Sequence, residues 1–384
     1  MDFPQPRNRK LTDMRVAYVH DWLVSHRGGE KVLETLLELY PAAPVYTMFH
    51  DARRMPETIN SRRIICPRGL WPFRRIRKAL LPILPSIMES FPLQDFDLII
   101  STSSCVAKGV IPGPYAKHLC YLHSPMRYVW DQRFEYIGGL KRIPLASPLI
   151  QFASSQLRTW DVASQHRVDK YFVNSTFVKK RTEKYYGRHD AEVLAPPIEM
   201  VRFSNARQTA RIVAEPYFLA AGALVSYKRF DLAIEAAQRA GVQLVVAGDG
   251  PYLSHLRSQA GPKGRSHIRF EVRPNDQRWD SLLAHAEALI FPGIEDFGMI
   301  AIESMAAGTP VIAASQGGAL DFIIPGQTGL LFPPNDLESL TKIMRNFRAS
   351  SIDLPSIQSL ETLYGKSRFL NRISGAIQEL HPGA

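Results

Sequence analysis

The stretch GIEDFGMIAIESMAAGTP, residues 293–310, sets two carboxylates, Glu295 and Glu303, eight positions apart around a helix start. The apolar run ALIFP (288–292) before it reads as a strand and GIEDFG as a turn. MIAIESMAA is helical by propensity until Gly308 and Pro310 stop it. Glu295 then precedes the first turn, and Glu303 lies roughly 7–8 Å further along the helix axis. Phe297, Gly298, Met299 and Ile300 form the helix start, whose unpaired N–H groups and positive dipole end suit a phosphate. A carboxylate deeper in that helix repels a phosphate unless it bonds something neutral, and a ribose diol fits that need. Glu295 is left to touch a second polyhydroxylated group near the phosphates. The plainer reading, an exposed Glu295 and a salt-bridged Glu303, stays open from the motif alone.

Other short motifs fail on context. Asp296-Phe297-Gly298 matches the magnesium-holding tripeptide of protein kinases, but no GxGxxG loop, V-A-I-K or H-R-D accompanies it. Asp95-Phe96-Asp97 imitates a metal-binding DxD, yet it leads into an apolar strand instead of closing one, so Asp97 reads as a strand-start residue. Gly248-Asp249-Gly250 is not a dinucleotide fingerprint, which disfavours a dehydrogenase. Cys66, Cys105 and Cys120 lack the count and spacing of a disulfide framework or a zinc site and read as buried thiols.

The elements that must carry Glu295 and Glu303 recur along the chain. RVAYVH (15–20), PVYTMF (44–49), DLIIST (97–102), HLCYLH (118–123) and KYFVNS (170–175) are strands separated by helical segments. YFLAAG (217–222), VQLVVAG (242–248), IRFEV (268–272), ALIFP (288–292) and PVIAAS (310–315) repeat the rhythm. Strand, helix, strand in that order implies parallel sheets with right-handed crossovers, here two doubly wound α/β sheets. Ligands in such sheets sit outside the carboxyl ends of the strands, where the glycine-rich turns of this chain fall. The proline-started, weakly periodic stretch 196–214 marks the boundary, giving domains 1–200 and 201–384. The segment from about 355 to 380 reads as one or two helices able to pack back across that boundary.

With 45% hydrophobic and 22% charged residues, the 384-residue chain has the balance of a globular protein of two cores. No run approaches the ~18 apolar residues of a membrane span and the first fourteen residues lack a secretory signal, so a cytosolic location is expected. The net charge of +11 attracts nucleotides, nucleic acid or anionic lipid. It is concentrated in RRIICPRGLWPFRRIRK (62–78), seven basic residues and no acidic one, interleaved with Trp71, Phe73 and Ile76 and followed by Leu80 and Leu81. Residues 62–81 therefore suit an anionic membrane surface, with a solvated loop and packed helix as the alternative. A nucleic-acid binder predicts aromatics spread along a basic groove, and here they cluster instead.

EDFGMIAIESMAAGTPVIA (295–313) resembles the E-x7-E signature of retaining glycosyltransferases of family 4, the "group 1" transferases. HDWLVSHRGGEKVLE (20–34) is similar to their first-strand glycine loop, SYKRFDLAIEA (226–236) to their basic phosphate-binding turn, and VVAGDGP (245–251) to the turn after the next strand. YLHSPMRYVWD (121–131) looks like the bacterial polysaccharide and O-antigen branch, in which mannosyltransferases using GDP-mannose are common.

The resemblance implies a GT-B fold, two Rossmann-like domains facing a central cleft, with the acceptor on 1–200 and the nucleotide sugar on 201–384. It implies a retaining transfer of a sugar, mannose from GDP-mannose first, to a polyprenyl-diphosphate-linked glycan for an exopolysaccharide or O-antigen. The enzyme would work peripherally on the inner face of the cytoplasmic membrane, with no metal, no other cofactor and no nucleic acid. A nucleotide-sugar epimerase or hydrolase on the same scaffold is the rival. Without a metal, cations must meet the charge growing on the departing diphosphate. Lys228 or Arg229 would do so, helped by backbone donors at Gly28, Gly29 and Phe297 to Ile300, with Gly248 in the next donor-side turn. The family commonly has an arginine after the glycine ending that strand, whereas Ala223 stands there in this chain. Glu303 is then expected on the ribose, Glu295 beside the sugar, and His123 near the anomeric carbon. His20, Asp21 and Arg127 fall on the acceptor side. A front-side route needs no enzyme nucleophile, and a double displacement needs a carboxylate beneath the anomeric carbon.

Overall fold

The computed structural model describes residues 13–77, 79–131, 146–261 and 267–382. They form two compact units, residues 1–195 with 369–384, and residues 196–368. The first carries a seven-stranded sheet of β1 (Val16–His20), β2 (Val45–Thr47), β3 (Ile64–Ile65), β4 (Leu98–Ser103), β5 (Lys117–Leu122), β6 (Lys170–Val173) and β7 (Glu192–Val193). Its order is β3-β2-β1-β4-β5-β6-β7, with every pairing parallel. The second carries β8 (Phe218–Ala223), β9 (Leu244–Asp249), β10 (Ile268–Val272), β11 (Leu289–Phe291), β12 (Val311–Ala314) and β13 (Gly329–Phe332) in the order β10-β9-β8-β11-β12-β13, again all parallel.

The inner strands of both sheets are largely apolar on both faces because both faces are covered, whereas the edge strand β10 carries Arg269 and Glu271 and the edge strand β7 begins with Glu192. In the first unit Val16, Tyr18, Leu98 and Ile100 point into one core, and Ala17, Val19 and Ile99 into the opposite one. In the second, Phe218, Ala220, Leu244, Val246 and Ile290 share one core, while Leu219, Val245, Leu289 and Val311 are buried on the other side. This two-sided burial is what a parallel sheet demands.

The strand order reverses between β1 and β4 in one sheet and between β8 and β11 in the other. A crevice opens beyond the carboxyl ends of such a strand pair, where the connections leave in opposite directions. His20 closes β1 and the Lys228 turn follows β8, while Glu295 lies just beyond β11. The chemistry-bearing residues of each unit thus fall at its own switch point.

The chain passes into the second unit at Pro196, inside the expected boundary stretch and five residues before 201. The helix Lys366–Leu380 belongs largely to the first unit: Phe369, Ile373, Ala376 and Ile377 lie at helical spacing and join the core beside Tyr18 and Leu98. β3, β7 and β13 extend the sheets beyond the strands expected from periodicity. Among the described residues no helix is long and apolar enough to cross a membrane.

Candidate functional site

In the second unit, the chain leaves β8 through Leu224 and Val225 into a 3-10 turn, Ser226–Lys228, and Arg229 then starts the helix Phe230–Ala240 from a left-handed conformation (φ 53°). The turn tucks Lys228 inward to 9% exposure, and its Nζ donates to Glu295 Oε1 at 2.7 Å. Glu295 arrives from the opposite side of the switch point, on the loop after β11. A Cβ added at Gly293 would lie 2.7 Å from Lys228 Cα, so only glycine lets that loop pass so near the turn. Arg229 points elsewhere, bonding the Asp231 carboxylate, with NH2 to Oδ2 at 3.1 Å, and Asn335 Oδ1.

Beyond Glu295 the loop is anchored by buried Asp296 and Phe297, the latter ring 5.5 Å edge-on from Phe322. The helix runs Met299–Ala306 with Gly298 as its N-cap at φ 101°, so the turn gives way to the helix at the Met299 expected from the sequence. At Gly298 a Cβ would also strike the Phe291 ring at 2.4 Å. The N–H groups of the first turn, at Met299 and Ile300, form the amino end anticipated from the sequence.

Glu303 is the fifth residue of that helix and is 6% exposed. Arg202 provides its electrostatic setting. Burial lowers the Arg202 pKa, but the hydrogen bond with Asp280 and the charges of Asp280, Asp276 and Glu303 outweigh it and raise the value. Arg202 NH2 lies 2.9 Å from Asp280 Oδ1 and 3.3 Å from Asp276 Oδ1. Gly248, expected as a donor-side residue, sits where β8 and β9 approach: a Cβ there would be 1.9 Å from the Gly222 carbonyl oxygen.

Sequence reasoning passed over the turn after β12, Gly317-Gly318. Gly318 N–H donates to the Glu295 carbonyl at 2.9 Å, and a Cβ at Gly317 would lie 2.6 Å from the same oxygen. The signal was present as SQGG directly after an apolar strand, in a place where backbone approach needs glycine. Arg202 and Asn335 were also missed, because nothing local marks either as a partner of residues a hundred positions away.

In the first unit, the helix Gly28–Leu36 starts at the glycine pair, and Glu30 Oε2 reaches back to the Arg27 N–H at 3.0 Å. The His123 ring packs on Gly29, its Nε2 3.5 Å from where a Cβ would stand, and the His123 carbonyl accepts from Asn174 Nδ2 at 3.0 Å. Arg127 is half-buried on the same loop after β5. The two acceptor-side residues of β1 and its end face inward. Asp21 is buried, and its oxygens accept from Ser104 N–H at 2.6 Å, Val106 N–H at 2.8 Å and Ala107 N–H at 2.7 Å, so it organises the loop after β4. His20 is buried with Nδ1 2.5 Å from Thr102 Oγ1; burial and the nearby His123 push its pKa down to about 3, so it is held neutral and inward.

The basic segment after β3 is a 3-10 stretch, Arg68–Ile76. Leu70, Leu80 and Leu81 pack on the core, while Trp71, Phe73 and Ile76 are exposed by 39%, 45% and 55%. Arg74 lies over the Trp71 ring at 4.2 Å and Arg77 over Trp22 at 5.6 Å. The decoy Asp97 accepts the Arg15 N–H at 2.7 Å at the amino end of the sheet.

Residues 202–354, within the second unit, match the family model described as glycosyl transferases group 1. The chain is 27% identical over 187 residues to the O-antigen chain mannosyltransferase C of Escherichia coli, covering 48% of this chain and 47% of that one. It is 27% identical over 200 residues to a GDP-mannose-dependent monoacylated alpha-(1-6)-phosphatidylinositol monomannoside mannosyltransferase of Corynebacterium glutamicum, covering 46% and 52%. The chain thus spans about half the length of the curated relatives it matches. Among solved structures, an Anabaena protein in complex with UDP and glucose superposes with a TM-score of 0.68 at 16% identity, over 95% of this chain and 100% of that one. Identity that low speaks to the fold alone, and the fold is the two-sheet GT-B type.

Proposed function

With residues 202–354 as the group 1 glycosyltransferase part of this chain, we propose that the protein is a retaining, metal-independent glycosyltransferase moving mannose from GDP-mannose onto a lipid-linked glycan. The observation that carries the reading is the Lys228–Glu295 pair beside the amino end of the helix Met299–Ala306, at the switch point of the second sheet. A cation and first-turn amide donors at one strand end stabilise a leaving diphosphate without further help. Lys228, rather than Arg229, takes the phosphate, because Arg229 is committed to Asp231 and Asn335. Glu303 takes the ribose hydroxyls and Glu295 the sugar. GDP-mannose is favoured by the donor in the Corynebacterium relative's name, and a lipid-linked acceptor by the O-antigen and phosphatidylinositol mannoside chemistry in the relatives' names.

The acceptor is assigned to the first unit, along Gly28, Gly29, His123 and Arg127, with residues 62–81 on an anionic membrane surface. The departing phosphate oxygen takes the acceptor proton on the front face, so no enzyme nucleophile is required. Thermal-shift measurement against GDP-, UDP-, ADP- and dTDP-sugars tests the donor: a ligand at ~100 times its dissociation constant adds ~2.7 kcal/mol. Stabilisation by none of them removes the proposal. Release of free sugar without any acceptor, undiminished when a lipid-linked acceptor is added, replaces transfer by hydrolysis, and activity lost to EDTA and restored by a divalent cation removes metal independence.

A further inference from the structure

The carboxylate expected to read the donor sugar is bonded to the cation expected to hold the donor phosphate: Lys228 Nζ to Glu295 Oε1, 2.7 Å, with side-chain exposures of 11% and 16%. Two largely enclosed opposite charges are not separated cheaply unless each finds a new partner. A diphosphate supplies one for Lys228. Only a sugar supplies one for Glu295, because a carboxylate accepts hydrogen bonds and phosphate oxygens donate none at neutral pH.

We infer that Glu295 stands in for the donor phosphate and that the Lys228–Glu295 pair makes the site discriminate the loaded nucleotide sugar from the spent nucleoside diphosphate. When the nucleotide sugar enters, its diphosphate takes Lys228 while its hydroxyls take Glu295, and every charge is again partnered. When bare nucleoside diphosphate enters, Glu295 must be left as an uncompensated, largely buried carboxylate facing a second anion, or must keep Lys228 and deny it to the phosphate. Either course weakens the product and hastens its departure after transfer.

The backbone around the pair makes this a side-chain exchange rather than a loop movement. Gly318 N–H holds the Glu295 carbonyl at 2.9 Å, and the loop at Gly293 passes so near the Lys228 turn that a Cβ there would lie 2.7 Å from Lys228 Cα. Gly222 faces the ammonium itself, a Cβ there falling 3.2 Å from Lys228 Nζ. Glycine at 222 thus lets the ammonium lie against the strand end, where any side chain would crowd it, and a phosphate oxygen there would replace a carboxylate oxygen with the lysine kept in place.

This inference rests on the nucleotide-sugar reading, and its test separates the two. Full-length wild type is first titrated calorimetrically with GDP, UDP, ADP and dTDP and with the corresponding nucleotide sugars; binding by none of them sinks both readings together. With the base that binds, Glu295→Gln should hold the nucleoside diphosphate about tenfold more tightly than wild type and the nucleotide sugar more weakly, since an amide neither competes for the ammonium nor accepts as strongly. An unchanged or weaker diphosphate affinity in Glu295→Gln, with wild type binding both ligands, overturns the exchange and leaves the donor assignment standing. Lys228→Met is the second variant. It should lower affinity for both ligands, and a diphosphate affinity left at the wild-type value removes Lys228 as the cation and refutes the exchange.

Discussion

Gly318 and Glu295 are joined by a backbone hydrogen bond of 2.9 Å, which ties the turn after β12 to the loop after β11. A Cβ on Gly318 would lie 2.3 Å from the Asp296 carbonyl oxygen and 2.6 Å from Phe297 Cα, so Gly318→Ala must push the loop aside. A displacement near 1 Å at a reacting centre costs on the order of 100-fold in rate. Gly318→Ala is expected to lose transfer activity by about 10- to 100-fold while its circular dichroism spectrum stays native. Wild-type turnover in a folded Gly318→Ala protein removes the clamp from the mechanism.

Glu303 gives a prediction that a structural role does not share. If it accepts the ribose hydroxyls, Glu303→Ala should weaken the donor nucleotide by about 1.5–3 kcal/mol, the usual worth of hydrogen bonds to a charged group. A 2′,3′-dideoxy nucleotide offers Glu303 nothing, so wild type and variant should bind it alike. Equal losses for both nucleotides place the residue in the fold instead, as a partner of the Arg202 network.

These two residues show where sequence was informative and where it stopped. Ten strands were legible because continuous apolar runs bounded by Gly, Pro and Asp have few other uses. β3 and β7 have only two residues each and carry no period, and β13 is the four-residue run GLLF directly after a glycine turn. The lysine and glutamate of the candidate site were visible as types at strand ends. Their mutual ion pair, across 67 residues, was not. The bonds of Asp21 were hidden for the same reason: its partners are amides more than 80 residues away, and no local pattern announces a carboxylate committed to the backbone.

The first unit should weaken in mild acid. His20 and His118 are buried, and burial drives their pKa values down to about 3 and about 4. His118 further bonds Ser101 Oγ at 2.8 Å through Nε2. In the unfolded chain both imidazoles take up a proton near 6.5. A folded pKa below the unfolded one means that the unfolded state binds more protons as pH falls. Their contribution is therefore complete above pH 6.5 and declines toward pH 4, by roughly 1.4 kcal/mol per pH unit for each group. Urea midpoints at pH 7.5 and 5.0 should differ accordingly, and His118→Asn, although less stable at pH 7.5, should show a shallower decline. Parallel pH profiles for variant and wild type would show that His118 contributes nothing to the effect.

Residues 62–81 make a membrane prediction that pits exposed apolar groups against ordinary surface charge. Trp71, Phe73 and Ile76 are exposed beside Arg74 and Arg77, whereas Leu70, Leu80 and Leu81 are partly covered by the core. Cations near an anionic bilayer contribute about 1 kcal/mol each, and salt screens them within ~10 Å at 0.1 M. Apolar burial is not screened. Binding to phosphatidylglycerol vesicles should therefore exceed binding to phosphatidylcholine and fall with salt to a residue that depends on the aromatics. Trp71→Ser with Phe73→Ser and Ile76→Ser should abolish that salt-resistant remainder, while Arg74→Glu should reduce low-salt binding and leave the remainder largely intact. If the triple variant cosediments with anionic vesicles as well as wild type at both salt concentrations, the segment is a solvated loop over a packed core and the membrane assignment falls.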